Sequence, residues 1–257
     1  MIRRRFIGDS NGTLGIRGSN MFQTSRSMVY ADGVPLHYHL QSRWSGAPRW
    51  TMVSASEIAQ VEVIYGPFSA EYSGNAMAGV VLIETAIPQK REFHLDSSYF
   101  RQDFSAYNFD DAVDGFKGFA SYGDKIGNAS FYVSYNHLDN TAQPQTFRDA
   151  SPSPDSSTNN TNAVTGAIFG LDSRNNPKAW YGDTGVVNTT TDNLKFKFGY
   201  DFGLWQSLLN IAYEDRLSVN NSANSYLKNS QGETLWTAGT YTQNSQSFNF
   251  NPGRLNN

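Results

Sequence analysis

The chain has 257 residues, a net charge of −3 and a mean hydropathy of −0.51. No apolar run approaches the roughly 20 residues of a membrane-spanning helix, which excludes a helical membrane protein but not a membrane β-barrel, whose strands alternate lipid-facing and lumen-facing residues. The absence of cysteine excludes disulfides, cysteine-ligated zinc and iron–sulfur clusters, and the weakly acidic balance gives no surface suited to nucleic acid.

Short strands and turns are predicted over the first ninety residues. Strands are expected at 13–17 and at 28–31, and Asp32-Gly33 follows the second as a turn signal. One helical turn is expected at 54–60, because serines that can cap a helix open this segment. Small strands, a short helix and glycine turns together predict a mixed α+β domain.

Residues 61–85 carry the most informative pattern of the chain. Apolar residues alternate at 61–65, which predicts a strand. Gly66-Pro67 ends this strand, since proline cannot donate to a ladder. The β-branched run at 80–83 predicts a second, buried strand, so the block is strand, glycine-rich turn, strand.

These residues resemble the end of the plug domain in TonB-dependent outer-membrane receptors. That family typically shows V-E-x-x-x-G-P and then S-A-x-Y-G-x-x-A-x-x-G-V-x-x-I, and residues 61–83 fit most of these positions. Upstream, I-R-G at 16–18 and D-G-V-P at 32–35 stand where the family has the same motifs. We call the matching residues the plug signature: Gly18, Asp32, Gly33, Gly66, Pro67, Tyr72, Gly74 and Gly79.

The resemblance implies that residues 1–90 are the C-terminal part of a plug domain. It implies a transporter in the outer membrane of a Gram-negative bacterium that takes up a scarce ligand of the siderophore, cobalamin or sugar class. The implied partners are a TonB-type energy-coupling protein, outer-membrane lipid and the small-molecule ligand. The resemblance implies neither an enzymatic activity nor a cofactor.

Residues 91–257 predict the first five or six strands of an antiparallel sheet that is part of an incomplete transmembrane β-barrel. Period-two alternation marks four strands and weaker patterns mark two more: 93–99, 131–136, 194–202, 209–214, then 116–122 and 233–241. The links are expected to be long, tight, very long, tight and long: 102–114, 123–128, 139–192, 203–206 and 217–232. This alternation is typical of extracellular loops and periplasmic turns.

The loop after D-G-V-P lies at the top of the plug in the family, near incoming ligand. This position implies ligand contact by His37, His39, Gln41, Arg43 and Trp44; the alternative is a loop packed against the barrel wall. The two histidines would share one face of a strand, but no nearby acidic residue or cysteine completes a ligand set, so no metal site is predicted.

Three further residues are predicted to lock the plug to the barrel. In the family, the arginine of I-R-G belongs to an ionic cluster with this role, and here it is Arg17. A second arginine usually precedes G-P, but Tyr65 stands there and offers a hydroxyl instead of a charge. Glu62 completes the predicted set; the alternative for the two charges is an exposed pair of little energetic value.

No residue pattern predicts catalysis. Residues 74–79 lack the ending of a phosphate loop, and the aspartates at 110–114 lack the spacing of an EF-hand. The main alternative to a receptor is a soluble secreted all-β binding module, and a secreted hydrolase with an unrecognised site is weaker still. The link at 139–192 has little apolar content to order it, so we expect it to be extracellular and mobile.

The family also sets expectations for the behaviour of the chain alone. Receptors carry an energy-coupling segment and early plug strands well upstream of I-R-G, and they carry many more barrel strands. The isolated chain is therefore expected not to transport. Five or six strands fall short of the roughly eight that close a narrow barrel, so we expect the isolated chain to aggregate or to require detergent.

Overall fold

The computed structural model describes residues 2–3, 12–16, 27–37, 48–66, 71–72, 76–154 and 162–255. Its strands, in chain order, are β1 Ile2–Arg3, β2 Thr13–Leu14, β3 Ser27–Ala31, β4 Val34–Pro35, β5 Ile58–Tyr65, β6 Gly79–Thr85, β7 Glu92–Ala106, β8 Phe109–Ile126, β9 Ala129–Ala142, β10 Phe147–Ala150, β11 Ser153–Pro154, β12 Ile168–Leu171, β13 Pro177–Asp183, β14 Val187–Asp201, β15 Gln206–Asn220, β16 Asn224–Ser225, β17 Gly239–Gln243 and β18 Gln246–Phe250. Short 3₁₀ turns lie at Trp50–Met52, Ala55–Glu57 and Pro252–Arg254. None of the helices in these residues is long and apolar enough to cross a membrane.

The N-terminal sheet has the strand order β4-β3-β6-β5. Strand β3 pairs in parallel with β6, and β5 pairs with β6 in the antiparallel direction. The predicted strands at 28–31 and 80–83 are confirmed, and both are largely buried because they form the centre of the sheet. Asp32 and Gly33 form the predicted turn, with φ angles of +48° and +80°.

Two residues of the plug signature pack at one end of this sheet. A Cβ atom on Gly79 would lie 2.6 Å from the backbone oxygen of Ile64, so the close pairing of β5 and β6 admits only glycine at this position. The Tyr72 ring lies 5.7 Å from the ring of Tyr30. The motif residues therefore serve packing of the sheet at these two positions.

The predicted helical turn at 54–60 is shorter in the structure. It spans only Ala55–Glu57, because Ile58 already begins β5. Glu57 folds back so that its Oε1 accepts a hydrogen bond from the Ser54 backbone N–H at 2.7 Å. This bond closes the turn and fixes the direction of the carboxylate.

The long strands form a five-stranded sheet in the order β15-β14-β9-β8-β7. Its two end strands have no further neighbour among the described residues, so the predicted antiparallel, incomplete sheet is confirmed. The tight links after β8 and β14 are confirmed as well. The long link expected at 102–114 is wrong, since β7 and β8 are separated only by Tyr107 and Asn108.

The β7–β8 hairpin extends beyond the predicted ends of its two strands because aromatic residues pair across it. The rings of Phe104 and Phe109 lie 6.0 Å apart, and Tyr107 stacks on Trp180 at 4.5 Å. Polar residues around 102–114 suggested a loop, but such aromatic cross-strand pairs stabilise strands. The turn itself is made possible by Tyr107, which adopts a left-handed conformation with φ +55°.

By compactness the chain divides into two units: residues 1–99, 116–139 and 190–217, and residues 100–115, 140–189 and 218–257. In the second unit, β10, β12, β13 and β16 form one sheet, and β11, β17 and β18 form another. An apolar core contains, among others, Tyr181, Leu227, Phe248 and Phe250.

The prediction that residues 139–192 form a polar, mobile loop is therefore wrong for the described part of this segment. That segment contributes Val164, Ala167, Ala179 and Tyr181 to a common core with residues from 223–255. Its few apolar residues gain partners from a distant part of the chain, which the local composition does not show. The doubtful sixth strand at 233–241 is also corrected: β17 begins at Gly239 and pairs with β18, outside the five-stranded sheet.

Candidate functional site

Strand β14 presents two opposite faces in the first unit. Leu194, Phe196, Phe198, Tyr200 and Phe202 are between 37% and 50% exposed, whereas the lysines between them are almost completely buried, Lys195 at 6% and Lys197 at 0%. Side chains alternate across a strand, so the two lysines share one face. A buried ammonium group is costly unless it is paired and hydrogen-bonded, so the partners of these lysines are the centre of the site.

Lys197 pairs with the aspartate of the D-G-V-P motif. Its Nζ lies 2.8 Å from Asp32 Oδ2, and the Asp32 side chain is only 8% exposed. The same ammonium group donates to the backbone oxygen of Thr85 at 3.1 Å and to the Thr85 hydroxyl. Strand β14 is thus joined by charge and hydrogen bonds to the ends of β3 and β6.

The position of Asp32 follows from the N-terminal sheet. Because β3 and β6 are parallel, their C-terminal ends meet, and the Asp32 backbone N–H donates to Ile83 oxygen at 2.9 Å. The carboxylate then accepts hydrogen bonds from the Thr85 N–H at 2.8 Å and the Thr85 hydroxyl at 2.7 Å. Asn210 of β15 donates to it as well, at 2.9 Å.

These contacts determine the ionisation of Asp32. Burial by itself raises the pKa of a carboxyl group, but the hydrogen bonds from Lys197 and Thr85 and the charge of Lys197 outweigh it and hold the pKa of Asp32 below its ordinary value. The carboxylate is therefore charged at neutral pH, as its pairing with an ammonium group requires.

Glu57 and Lys195 form the second buried pair. Lys195 Nζ lies 2.8 Å from Glu57 Oε1, and the side chains are 7% and 3% exposed. Ser134 of β9 donates to Glu57 Oε2 at 3.4 Å. The 3₁₀ turn that precedes β5 is thus held against two strands of the five-stranded sheet.

We call these four charged residues, Asp32, Glu57, Lys195 and Lys197, the buried clamp. A third contact lies beside it, where the Thr51 hydroxyl donates to Glu214 of β15 at 2.5 Å. Two ion pairs from neighbouring inward positions of one strand fix both the place and the orientation of the N-terminal domain. Because each ion is buried, removing one partner leaves an uncompensated charge, which typically costs about 3–5 kcal/mol.

The predicted ligand contacts are only partly described by the structure. His37 is buried, and its Nε2 accepts a hydrogen bond from the Val29 N–H at 3.1 Å, so this nitrogen is engaged with the sheet. His39, Gln41, Arg43 and Trp44 lie outside the described residues. Within the described part of the chain, no group of three or more histidine, aspartate or glutamate residues is arranged to hold a metal ion.

The predicted locking residues lie apart from the buried clamp where they can be placed. Glu62 and Tyr65 are on the exposed surface of β5, Tyr65 at 55% exposure. Arg17 is outside the described residues, as are Gly18, Pro67 and Gly74 of the plug signature. The lock formed by Arg17, Glu62 and Tyr65 stays a prediction.

Local residue patterns do not predict the buried clamp. Asp32 stands in a turn signal, Glu57 stands in a segment expected to be a helical turn, and Lys195 and Lys197 alternate with the apolar residues of an amphipathic strand. The available signal was a pair of lysines on the face opposite an apolar row, since such a face is turned inward in a barrel strand and charges there need partners.

Known proteins resemble this chain both in the sequence of its N-terminal part and in its fold. Residues 4–80 match the family model of the TonB-dependent Receptor Plug Domain. The siderophore receptor PirA from Acinetobacter baumannii has a similar fold, with a TM-score of 0.51 and 16% identity over 82% of this chain and 26% of that receptor. No curated protein sequence matches the chain.

A ferric enterobactin receptor mutant (PfeA R480A) from Pseudomonas aeruginosa, solved with enterobactin, gives a TM-score of 0.49 at 16% identity, over 82% of this chain and 27% of that receptor. The chain thus spans about a quarter of the length of the solved receptors that it resembles.

The fold and the buried clamp place a domain that matches the plug family against strands of an open five-stranded sheet. The match of residues 4–80 to the plug-domain model and the PirA-like fold agree with the resemblance to TonB-dependent receptors that the sequence motifs predict.

Proposed function

We propose that this chain provides plug and barrel strands of an outer-membrane receptor that takes up a scarce small ligand with energy from a TonB-type protein. The observation that carries the proposal is the buried clamp, since it seats a plug-family domain against inward lysines of a barrel strand. A seated plug closes the lumen in the resting state and must loosen for passage, which is the behaviour of a gated transporter and not of an enzyme.

We propose that the ligand belongs to the siderophore class. It is supported by the fold shared with the A. baumannii siderophore receptor. Cobalamin and sugars are the other classes that the sequence motifs allow. We further propose that His39, Gln41, Arg43 and Trp44 face the incoming ligand, because they follow the D-G-V-P motif. His37 is left out of this proposal because it is buried and hydrogen-bonded to the sheet.

The outer membrane is the proposed location, with lipid as a partner of the exposed face of β14. Five apolar or aromatic side chains alternate on that face, as expected for a surface in contact with lipid. At the turn after β14, Phe202 stacks on Trp205 at 3.8 Å, and Leu204 is fully exposed. Aromatic residues at such a position are typical of the girdle at a membrane interface.

Locking of the plug is proposed to involve a second group besides the buried clamp. Arg17, Glu62 and Tyr65 come from motif positions at which the family has an ionic cluster. Glu62 and Tyr65 both lie on the exposed surface of β5.

Uptake in cells tests the proposed function directly. A receptor that contains this chain is expressed in iron-limited bacteria, and uptake of an iron–siderophore complex is compared with and without the TonB-type protein. We expect uptake that requires this partner. Uptake that persists without it would overturn the mechanism, and a chain that is a monodisperse, cooperatively melting monomer in plain buffer would favour a soluble binding module instead.

Epitope insertion tests the proposed orientation in the same cells. A tag near Asn160, in the long link at 139–192, is expected to bind antibody on intact cells because this link is proposed to be extracellular. A tag beside Leu204, in the tight turn after β14, is the matched control and is expected to react only after the outer membrane is broken. The opposite pattern would reverse the topology.

A further inference from the structure

A small cavity with both polar and apolar lining lies beside the Glu57–Lys195 pair. It leaves about 10 Å³ for the centre of a water-sized sphere, and its lining includes Ser54 and Glu57 from the N-terminal domain, Asn136 from β9, and Asn193 and Lys195 from β14. This volume is at the lower limit for a single water molecule. The cavity is therefore a possible ligand site only for something as small as water or a monatomic ion.

Four polar side-chain atoms around this cavity lack a hydrogen-bond partner among the described residues. They are Ser54 Oγ, Asn136 Oδ1 and both amide atoms of Asn193, each with less than 1 Å² exposed. Ser54 as a whole is only 5% exposed. A buried polar group without a partner is costly, so three such side chains around one cavity indicate a shared polar ligand.

The chemistry of these atoms selects the ligand. Asn193 offers one donor and one acceptor whichever way its amide is turned, Asn136 offers an acceptor, and Ser54 offers a hydroxyl that does both. A cation cannot accept a hydrogen bond from an amide N–H, and an anion cannot donate to an amide oxygen. The nearby charges of Glu57 and Lys195 compensate each other, so the cavity has no need of an ion.

We infer that this cavity binds one ordered water molecule, which bridges Ser54 of the N-terminal domain to Asn136 and Asn193 of the five-stranded sheet. The water completes the polar surroundings of the Glu57–Lys195 pair and adds an exchangeable link to the buried clamp. Water-mediated hydrogen bonds are nearly as favourable as direct ones, but they can be made and broken singly. The inference concerns this chain's own fold and holds whichever ligand a receptor transports.

The inference is tested by whether one substitution stabilises or destabilises the fold. If Asn193 binds the water, Asn193→Leu removes its hydrogen bonds and raises the unfolding equilibrium constant by about three- to tenfold. If the cavity is dry, the same substitution removes two unsatisfied buried amide atoms and lowers that constant. Urea unfolding of the chain refolded in detergent measures the shift. Asn249→Leu is the matched control, because Asn249 also lies on a strand but is exposed, and it is expected to change nothing.

A crystal structure of a receptor that contains the chain gives an independent result. We expect one density peak at hydrogen-bonding distance from Ser54, Asn136 and Asn193, and loss of that peak in Asn193→Leu. A direct hydrogen bond between these side chains with no peak would overturn the inference. A peak surrounded only by oxygen atoms at shorter distances would overturn it in favour of a cation.

Discussion

Replacement of Lys197 by methionine tests the buried clamp most directly. Methionine keeps most of the length of the side chain but removes its charge, so Asp32 stays buried without its ammonium partner. Breaking a buried pair from one side typically costs about 3–5 kcal/mol. Asp32 keeps its hydrogen bonds from Thr85 and Asn210, which places the expected loss near the lower end, at about 3 kcal/mol.

An upper limit to this loss follows from protonation of Asp32. In the Lys197→Met protein the carboxyl group can bind a proton instead of remaining charged, and at pH 7 this costs about 4 kcal/mol relative to an ordinary aspartate. At pH 5 the same step costs only about 1.5 kcal/mol. The stability deficit of the variant is therefore expected to shrink as the pH falls from 7 to 5.

Urea unfolding in detergent, followed by tryptophan fluorescence, measures the deficit at both pH values. Lys90→Met is the matched control, because the Lys90 side chain is 81% exposed and lies 3.9 Å from Glu92. We expect its effect to stay within about 0.5 kcal/mol. If Lys197→Met and Lys90→Met are equally stable at pH 7, Lys197 is not the partner of a buried Asp32 and the clamp is refuted.

Three further predictions concern neighbouring features. Glu57→Lys and Lys195→Glu are each expected to lower the free energy of unfolding by about 3 kcal/mol or more. The double variant, in which the two charges are exchanged, is expected to recover a large part of this loss in a double-mutant cycle, and additive losses would contradict direct pairing. Because the pKa of Asp32 is lowered on folding, its contribution is present above the ordinary pKa near 3.9 and is lost as the pH falls through the lower folded value. We therefore expect the contribution of Asp32, measured against Asp32→Asn, to be constant from pH 7 to pH 5 and to decline only below about pH 4; a decline between pH 7 and pH 5 would show that the folded pKa is not lowered. Gly79→Ala is expected to cost about 1–3 kcal/mol through its contact with a backbone oxygen, and more than Gly33→Ala, around which nothing lies within 4 Å; equal thermal shifts would argue against the close strand pairing.

The amino-acid sequence by itself determined the local elements and the resemblance to a family. Strands at 28–31 and 80–83, the Asp32-Gly33 turn and the tight links after β8 and β14 follow from patterns of a few residues, because side-chain alternation and positive φ angles are local properties. The plug motifs are similarly short, which is why the sequence alone shows the resemblance that the match of residues 4–80 supports.

Only the tertiary structure decided which charges meet and which polar segments fold. Glu57 and Lys195 are 138 residues apart, and no local pattern states that a carboxylate in a 3₁₀ turn will be buried against a lysine of a barrel strand. The segment at 139–192 looked too polar to order itself, yet its scattered apolar residues join a core completed by Phe248 and Phe250. Burial depends on what the rest of the chain brings to a surface, and a composition read along the sequence does not contain that information.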